Sequence, residues 1–176
     1  MSNLTAAAVQ ALIRDVPDFP KPGILFKDIT PVLKHPQAMH SVIKFMAERA
    51  AGLGVTLVAG PEARGFLFGM PLAMRLGVGF VPIRKPGKLP WKTRSVSYAL
   101  EYGTDSVQVH EDAATKGDRV LLVDDLLATG GTMAACCQLM ESLGAEVVGC
   151  QFMVELGFLQ GRERLAGQRI DALFAY

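Results

Sequence analysis

Two adjacent carboxylates and a run of small residues follow an apolar stretch in the segment VLLVDDLLATGGT, residues 120–132. The apolar residues predict a buried strand over residues 119–125, which carries Asp124 and Asp125 to its carboxyl end. The next residues predict a small, glycine-containing loop at a helix start, where backbone N–H groups and the helix N-terminus attract an anion. No lysine follows the glycines, so the segment differs from the phosphate loop that binds nucleoside triphosphates.

The two carboxylates restrict what this loop can bind, because two negative charges beside a phosphate would repel it. They are compatible with a phosphate when they face another part of the same ligand, such as a sugar diol or a magnesium ion. A monophosphate and a diol held together indicate ribose 5-phosphate, and the hydroxyls of Thr129 and Thr132 add hydrogen-bond donors. The alternative is an ordinary strand-to-helix turn in which Asp and Thr only cap the helix.

The elements around this segment predict an α/β fold. Apolar runs and helical patterns alternate in the order strand, helix, strand, strand, helix, strand. The strands are residues 55–59, 78–83, 119–125 and 145–154, and the helices are residues 65–76 and 131–143. This order is typical of a mainly parallel central sheet flanked by helices on both faces. Ligands of such sheets bind at the carboxyl ends of the strands, where the Asp pair is expected.

The N-terminal part and the middle of the chain follow other patterns. A first helix is predicted by four apolar residues at helical spacing, ended by a proline: Val9, Leu12, Ile13, Val16 and Pro17. Residues 18–31 are rich in Pro and Gly and predict an extended arm or hood with at most a short strand, and residues 39–50 predict a second helix. Residues 84–97 are basic and are not expected in the core, whereas residues 98–109 predict strands.

Composition limits the class of protein. The chain has 176 residues, of which 50% are hydrophobic and 20% charged, and its formal net charge is +1. These values predict one folded domain over residues 1–176 and give no reason to expect a nucleic-acid or membrane partner. Three cysteines, two of them adjacent, suit small buried side chains better than disulfides or a zinc site: Cys136, Cys137 and Cys150. We therefore expect a cytoplasmic protein.

The segment at residues 120–132 resembles the signature with which the type I phosphoribosyltransferases bind 5-phosphoribosyl 1-diphosphate (PRPP). The resemblance implies that five residues cradle the 5-phosphate: Ala128, Thr129, Gly130, Gly131 and Thr132. It also implies that Asp124 and Asp125 hold the ribose hydroxyls and help to place Mg2+, which is bound mostly through PRPP. The fold it implies adds an N-terminal hood, about residues 1–33, and a flexible catalytic loop within about residues 84–105.

Further segments narrow the resemblance to the adenine phosphoribosyltransferase family. The segment FPKPGILFKDITP, residues 19–31, resembles the hood that binds the base. It implies that backbone groups of Leu25 and Lys27 contact adenine while Phe26 packs on the ring. Taken alone, Phe26 fits a core position better. The segments VEL and GRERL resemble the C-terminal part of the family, with Leu156 as an apolar floor under adenine.

The segments GPEARGFLFG, residues 60–69, and RKPGKLP, residues 84–90, resemble the parts of the family that bind pyrophosphate. The residues implied are Glu62, Ala63, Arg64, Arg84, Lys85 and Lys88. Guanidinium groups and clustered cations suit the several negative charges of pyrophosphate and lower the energy of their development in a transition state. Judged from charge alone, the second segment fits a solvated basic loop better.

The segment YALEYG, residues 98–103, resembles the mobile catalytic loop. The resemblance implies that Glu101 is a general acid at N7 of adenine, which favours attack by N9, and that Tyr102 helps to close the loop. Taken alone, Glu101 fits a surface carboxylate equally well.

The resemblance covers about residues 19–165 and implies a purine-salvage enzyme that converts adenine and PRPP to AMP and pyrophosphate. It also implies a homodimer that allows Arg84 to reach the neighbouring site. Two alternatives stay open: a phosphoribosyltransferase for another base, such as hypoxanthine, xanthine or orotate, and a non-catalytic regulator that senses PRPP. The hood argues against the first alternative, and the length of the chain, with no added nucleic-acid-binding domain, argues against the second.

Overall fold

The structure is a computed structural model that describes residues 3–99 and 104–176. The two residues predicted for the catalytic loop, Glu101 and Tyr102, lie outside the described residues. None of the helices in this described part has the length and apolar character of a membrane span.

The chain divides into two compact units, Met1–Phe45 and Met46–Tyr176, and the single domain over residues 1–176 stays a prediction. The first unit contains helix α1 (Ala6–Gln10), strands β1 (Arg14–Pro17) and β2 (Leu25–Asp28), helix α2 (Thr30–Lys34) and the start of helix α3 (Pro36–Ala50). Strands β1 and β2 pair antiparallel. The arm predicted from Pro and Gly thus contains the short strand β2, whereas the sequence analysis missed α2.

The predicted first helix is wrong beyond Gln10, so only Val9 of its four apolar residues is helical. Helix α1 ends at Gln10, and Val16 lies in β1, where it pairs with Phe26 of β2. Four apolar residues at helical spacing are a weak signal, because hydrogen bonding to a neighbouring strand can satisfy the same backbone. The hydroxyl of Thr5 caps the short helix by accepting a hydrogen bond from the Ala8 N–H at 3.2 Å.

The second unit is built on a five-stranded sheet in which all neighbouring strands are parallel. In spatial order its strands are β4 (Gly79–Ile83), β3 (Leu57–Pro61), β7 (Arg119–Leu127), β8 (Glu146–Glu155) and β9 (Ile170–Ala175). Helix α4 (Arg64–Leu76) connects β3 to β4, and helix α5 (Gly131–Ser142) connects β7 to β8. Strands β5 (Thr93–Ala99) and β6 (Thr104–His110) form a separate antiparallel ribbon. The predicted parallel sheet flanked by helices is confirmed.

The centre of the sheet is apolar because β7 is buried on both faces. Its residues 120–123 are all fully buried, and successive side chains of a strand point to opposite faces. The three cysteines, in α5 and β8, are free and buried, as predicted for small hydrophobic side chains.

Three other segments differ from the sequence expectations. Residues 93–97 of the basic segment belong to β5, and Val96 packs against the core, so this segment is not excluded from it. Strand β3 extends through Pro61, which pairs with Ile83 of β4 instead of starting a loop. Strand β9 was not predicted, because its mixed sequence IDALFA has no uniform apolar run and its pairing with β8 decides its structure.

Candidate active site at the strand ends

The loop between β7 and α5 lines a cavity of about 200 Å³. All five residues predicted to bind the 5-phosphate are in its wall: Ala128, Thr129, Gly130, Gly131 and Thr132. Gly130 immediately precedes α5 and has a φ of 80°, a left-handed conformation that favours glycine. The N–H groups of a first helical turn lack intrahelical partners and carry partial positive charge, so this loop is suited to an anion.

The 3₁₀ helix Gly161–Leu165 packs against this loop through backbone atoms. A Cβ on Gly130 would lie 2.4 Å from the carbonyl oxygen of Gly161, and a Cβ on Gly161 would lie 2.2 Å from that of Ala128. Both positions therefore need glycine, because a side chain would push the two backbones apart. GRERL was predicted only as part of the family pattern, and no local signal indicated this role of Gly161.

The carboxylates of Asp124 and Asp125 lie beside the same cavity, although both residues are inside β7, which continues to Leu127. The Asp125 N–H donates a hydrogen bond to Asp124 Oδ1 at 2.8 Å. Burial, and then the charge of the neighbouring Asp125, hold the pKa of Asp124 well above its usual range. Burial also raises the pKa of Asp125, and the Arg64 guanidinium opposes that rise.

A second cavity, of about 170 Å³, shares four lining residues with the first: Arg64, Asp124, Asp125 and Thr132. Four of the six residues predicted to bind pyrophosphate line it: Glu62, Ala63, Arg64 and Lys85. Arg64 is the first residue of α4, and its Nε lies 3.2 Å from Oδ2 of Asp125, which is 2% exposed. The peptide bond between Glu62 and Ala63 is cis. A guanidinium between the two cavities can contact anionic groups in either.

The basic segment after β4 contributes its three predicted cations unequally. Arg84 forms an ion pair with Glu62, and Lys85 forms one with Asp105. Burial, the largest single influence, lowers the pKa of Lys85, but the hydrogen bonds to Asp105 and Tyr98 and their charges together outweigh it. The net change is an increase, so the ammonium stays charged. Among the described residues, the linings of the two cavities include Lys85 but neither Arg84 nor Lys88. The roles of Arg84 and Lys88 stay predictions.

The donors at the two cavities fit a magnesium ion that takes most of its ligands from a phosphorylated substrate. Within residues 3–99 and 104–176, no group of three His, Cys, Asp or Glu side chains could hold a metal alone. The Asp124 and Asp125 carboxylates are hard oxygen donors, and Oδ2 of Asp125 accepts no hydrogen bond from the described residues. Mg2+ keeps several water or phosphate ligands in such sites.

The residues predicted to contact adenine lie in both units. In the first unit, Leu25, Phe26 and Lys27 belong to β2; the rings of Phe26 and Phe19 meet edge to face at 5.1 Å. Lys27 Nζ lies 2.6 Å from Asp15 Oδ1. In the second unit, Leu156 follows β8, and its N–H donates to the Leu127 carbonyl at 2.9 Å. The contacts of these residues with adenine stay predictions.

Two polar residues that were not predicted for the site lie near the end of the β5–β6 ribbon at which Ala99 pairs with Thr104. Tyr98 and Asp105 pair across the ribbon, and the Tyr98 hydroxyl donates to Asp105 Oδ2 at 3.2 Å. It accepts hydrogen bonds from Lys85 Nζ at 3.4 Å and from Thr132 Oγ1 at 3.2 Å. Alternating residues in β5 and β6 were the signal that could have paired them in an antiparallel register, but no spacing rule connects either residue to Lys85.

Fold and site together define an α/β protein with two neighbouring cavities that are suited to anionic groups and share a pair of carboxylates. The family model described as phosphoribosyl transferase domain matches residues 28–165. An adenine phosphoribosyltransferase of Methylococcus capsulatus is 58% identical, covering 96% of this chain and 98% of the relative.

Solved structures are similar over nearly the whole chain. The adenine phosphoribosyltransferase of Thermoanaerobacter pseudethanolicus is 56% identical, with a TM-score of 0.95, covering 98% of this chain and 100% of that structure. The adenine phosphoribosyltransferase of Giardia lamblia, complexed with 9-deazaadenine, is 36% identical, with a TM-score of 0.93, covering 99% of both chains. The chain belongs to the phosphoribosyltransferases and, among them, to the adenine phosphoribosyltransferase family.

Proposed function

We propose that the protein transfers the 5-phosphoribosyl group of PRPP to N9 of adenine, giving AMP and pyrophosphate. One observation carries the proposal for PRPP. Two cavities with different anion-binding walls, one of backbone and one of cationic side chains, share the carboxylates Asp124 and Asp125. This matches a ligand with a monophosphate at one end, a ribose diol in the middle and a pyrophosphate at the other end.

Different side chains act on the ribose, the pyrophosphate and the base. The bond between C1 of the ribose and pyrophosphate breaks ahead of the attack by N9 of adenine, with inversion at that carbon. Asp124 and Asp125 accept hydrogen bonds from the ribose hydroxyls, and Arg64 and Lys85 stabilise the charge that develops on pyrophosphate. Glu101 gives a proton to N7 of adenine as N9 loses its proton to solvent, which frees the lone pair of N9 for the attack. The N7 proton returns to Glu101 as the bond to C1 forms.

Magnesium is the proposed cofactor, and Asp124 and Asp125 are the residues that would hold it, mostly through PRPP. When bound, it neutralises part of the charge on pyrophosphate. For adenine itself, the proposal relies on the family, whose Giardia lamblia member binds 9-deazaadenine. The residues proposed to contact adenine are Leu25, Phe26, Lys27 and Leu156.

A homodimer in the cytoplasm is part of the proposal. Three apolar side chains on one face of α4 are 43%, 51% and 75% exposed: Leu67, Met70 and Met74. Their spacing of three and four residues makes a continuous apolar stripe that a second copy could cover. Sedimentation velocity would measure the assembly, and a monomer at micromolar concentration would contradict it. The free thiols agree with a reducing compartment.

The test is an assay of pyrophosphate release from Mg-PRPP with adenine, hypoxanthine, guanine, xanthine or orotate. We expect release with adenine only, and a fall of about 10²- to 10⁴-fold in Glu101→Ala. Glu111→Ala, at an exposed glutamate in the turn after β6, is the matched control and should keep full activity. Release with another base would contradict the choice of adenine. Binding of PRPP without release for any base would favour the regulator.

A further inference from the structure

We propose that Asp105 is a positioning residue that holds Lys85 in the pyrophosphate subsite, with the Tyr98 hydroxyl as a second anchor. The inference rests on the proposed function, because that function gives Lys85 its ligand, the pyrophosphate end of PRPP. Within the described residues, Lys85 lines the second cavity, whereas Asp105 and Tyr98 are absent from both cavity walls. Both therefore act through Lys85 and not on the ligand.

The backbone brings Lys85 and Asp105 together. Arg84, next to Lys85, exchanges two hydrogen bonds with Gln108 of β6, at 2.9 Å and 2.7 Å. This bridge fixes the start of the basic segment three residues from Asp105. The ion pair between Lys85 Nζ and Asp105 Oδ2 follows from it, and the side chains are 37% and 29% exposed.

The number of donors on Lys85 explains why two anchors matter. An ammonium group has three N–H donors. Lys85 gives one to Asp105 and one to Tyr98, so one remains for a ligand in the cavity. Two fixed directions determine the third, and the long, flexible stem is already ordered when pyrophosphate binds.

The Tyr98 hydroxyl connects this arrangement to the phosphate loop. A hydroxyl donates once and accepts twice, and Tyr98 uses all three positions, with Asp105, Lys85 and Thr132. Thr132 is in the first turn of α5 and lines both cavities. The hydrogen bonds of the Tyr98 hydroxyl therefore fix the position of Lys85 relative to the rigid start of α5, which forms the proposed 5-phosphate subsite.

Asp105 could also act in the opposite sense, since a carboxylate repels pyrophosphate. Repulsion is the weaker effect, because Asp105 lies outside the cavity wall and solvent screens a partly exposed charge. Loss of Asp105 should therefore weaken the binding of pyrophosphate.

The experiment measures, by calorimetry with Mg2+, the dissociation constants of pyrophosphate, PRPP and AMP for five proteins: wild type, Asp105→Asn, Lys85→Ala, the double variant and Tyr98→Phe. For Asp105→Asn we expect pyrophosphate and PRPP to bind about tenfold more weakly, with AMP changed less than about twofold. In the Lys85→Ala background, Asp105→Asn should add no further loss, because the two changes remove one interaction. Tyr98→Phe should bind pyrophosphate about threefold more weakly than wild type.

A rescue variant separates positioning from a structural role. Asp105→Glu keeps the charge and should recover most of the affinity for pyrophosphate. The affinities of Asp105→Asn and Lys85→Ala for AMP should change less than about twofold. Unchanged or tighter binding of pyrophosphate in Asp105→Asn overturns the inference, as does an additive loss in the double variant. If the wild type binds neither PRPP nor pyrophosphate, the proposed function itself fails, which is a distinct result.

Discussion

The two anion subsites that we propose at the carboxyl edge of the sheet, one for the 5-phosphate and one for pyrophosphate, differ in the groups that form them. The 5-phosphate subsite consists of backbone at the junction of β7 and α5, held by the backbone of Gly161. The pyrophosphate subsite consists of the side chains of Arg64 and Lys85, each paired with a carboxylate. Backbone donors cannot be rearranged without moving the loop, whereas paired side chains can be altered one at a time.

This difference has energetic consequences. A long cationic side chain loses rotamer freedom when a ligand immobilises it, and its acidic partners reduce that loss by ordering it beforehand. A helix N-terminus has no such cost, but it depends on close packing behind it. We therefore expect single substitutions to damage the first subsite more than the second.

The largest effect is expected for Gly130→Ala. The new Cβ would lie 2.4 Å from the Gly161 carbonyl oxygen, at a residue whose φ is already 80°. Displacement of the loop should lower kcat/KM for PRPP by about a hundredfold or more, as for loss of preorganised donors. Steady-state kinetics at saturating adenine measures it.

Gly144→Ala is the matched control for backbone conformation. Its φ is 90°, but a Cβ there would meet nothing closer than 3.7 Å. It should lower the thermal midpoint through strain in the left-handed region while leaving kcat/KM unchanged. Equal losses of activity in the two variants would show that conformational strain, and not the loop, is responsible.

Arg64→Ala should have the next largest effect on activity. It removes the guanidinium between the two cavities and leaves the buried Asp125 carboxylate without its cation. We expect kcat/KM for PRPP to fall by about tenfold to a hundredfold, and the thermal midpoint to fall slightly. Arg75→Ala, at an exposed arginine in the last turn of the same helix, should change neither. Full activity in Arg64→Ala would remove this residue from the subsite.

Asp124→Asn should lower the activity and raise the thermal stability. Burial and the Asp125 charge raise the pKa of Asp124 in the folded protein, so its protonated form favours folding. That contribution is complete below the unfolded pKa of about 4 and is lost as pH rises through the folded value. The variant should therefore melt about 2–4 °C above wild type at neutral pH, which is the shift expected per kcal/mol in a chain of this size.

The diagnostic measurement is the difference between the melting temperatures of Asp124→Asn and wild type as a function of pH. It should shrink as the pH falls towards about 4, where the wild-type carboxyl is protonated in both states. Asp112→Asn, at an exposed aspartate, should show no pH-dependent difference from wild type. A lower melting temperature for Asp124→Asn at neutral pH would contradict burial of the carboxylate pair.

The smallest effect is expected for Lys88→Ala. Lys88 is exposed and, among the described residues, is not part of either cavity wall. An exposed charge near an anion contributes little, so the KM for PRPP should rise by less than about threefold. A tenfold rise, comparable to that of Lys85→Ala, would place Lys88 at the ligand.

The sequence predicted those parts of the fold whose signals are local. The buried run of β7 and the glycines at the start of α5 combine strand, loop and helix signals within a few residues, and the structure confirms them. Residues 93–97 and β9 have mixed sequences, so their structure depends on partners elsewhere in the chain. Val16 has a helical spacing that predicts a helix, but it lies in β1 because that strand pairs with β2.

In the candidate site, too, residues with local sequence signals could be predicted, whereas residues that depend on distant contacts could not. The loop before α5, the Asp pair and Arg64 could be predicted as neighbours, because each lies in the C-terminal part of a recognisable strand or shortly after it. Asp105 and Gly161 could not, because their contacts with Lys85 and Ala128 depend on hairpin register and on the approach of two backbones. The acidic partners of a cationic subsite are thus the part that the structure adds.

The most direct test of the two-subsite account is to titrate ribose 5-phosphate and Mg-pyrophosphate separately into wild type, Gly130→Ala and Arg64→Ala. The account predicts that both ligands bind to the wild type. Gly130→Ala should lose most of its affinity for ribose 5-phosphate but keep that for pyrophosphate within about threefold, and Arg64→Ala should show the reverse preference. Equal losses of affinity for both ligands in both variants, or no binding of either ligand to the wild type, would contradict the assignment of two separate subsites.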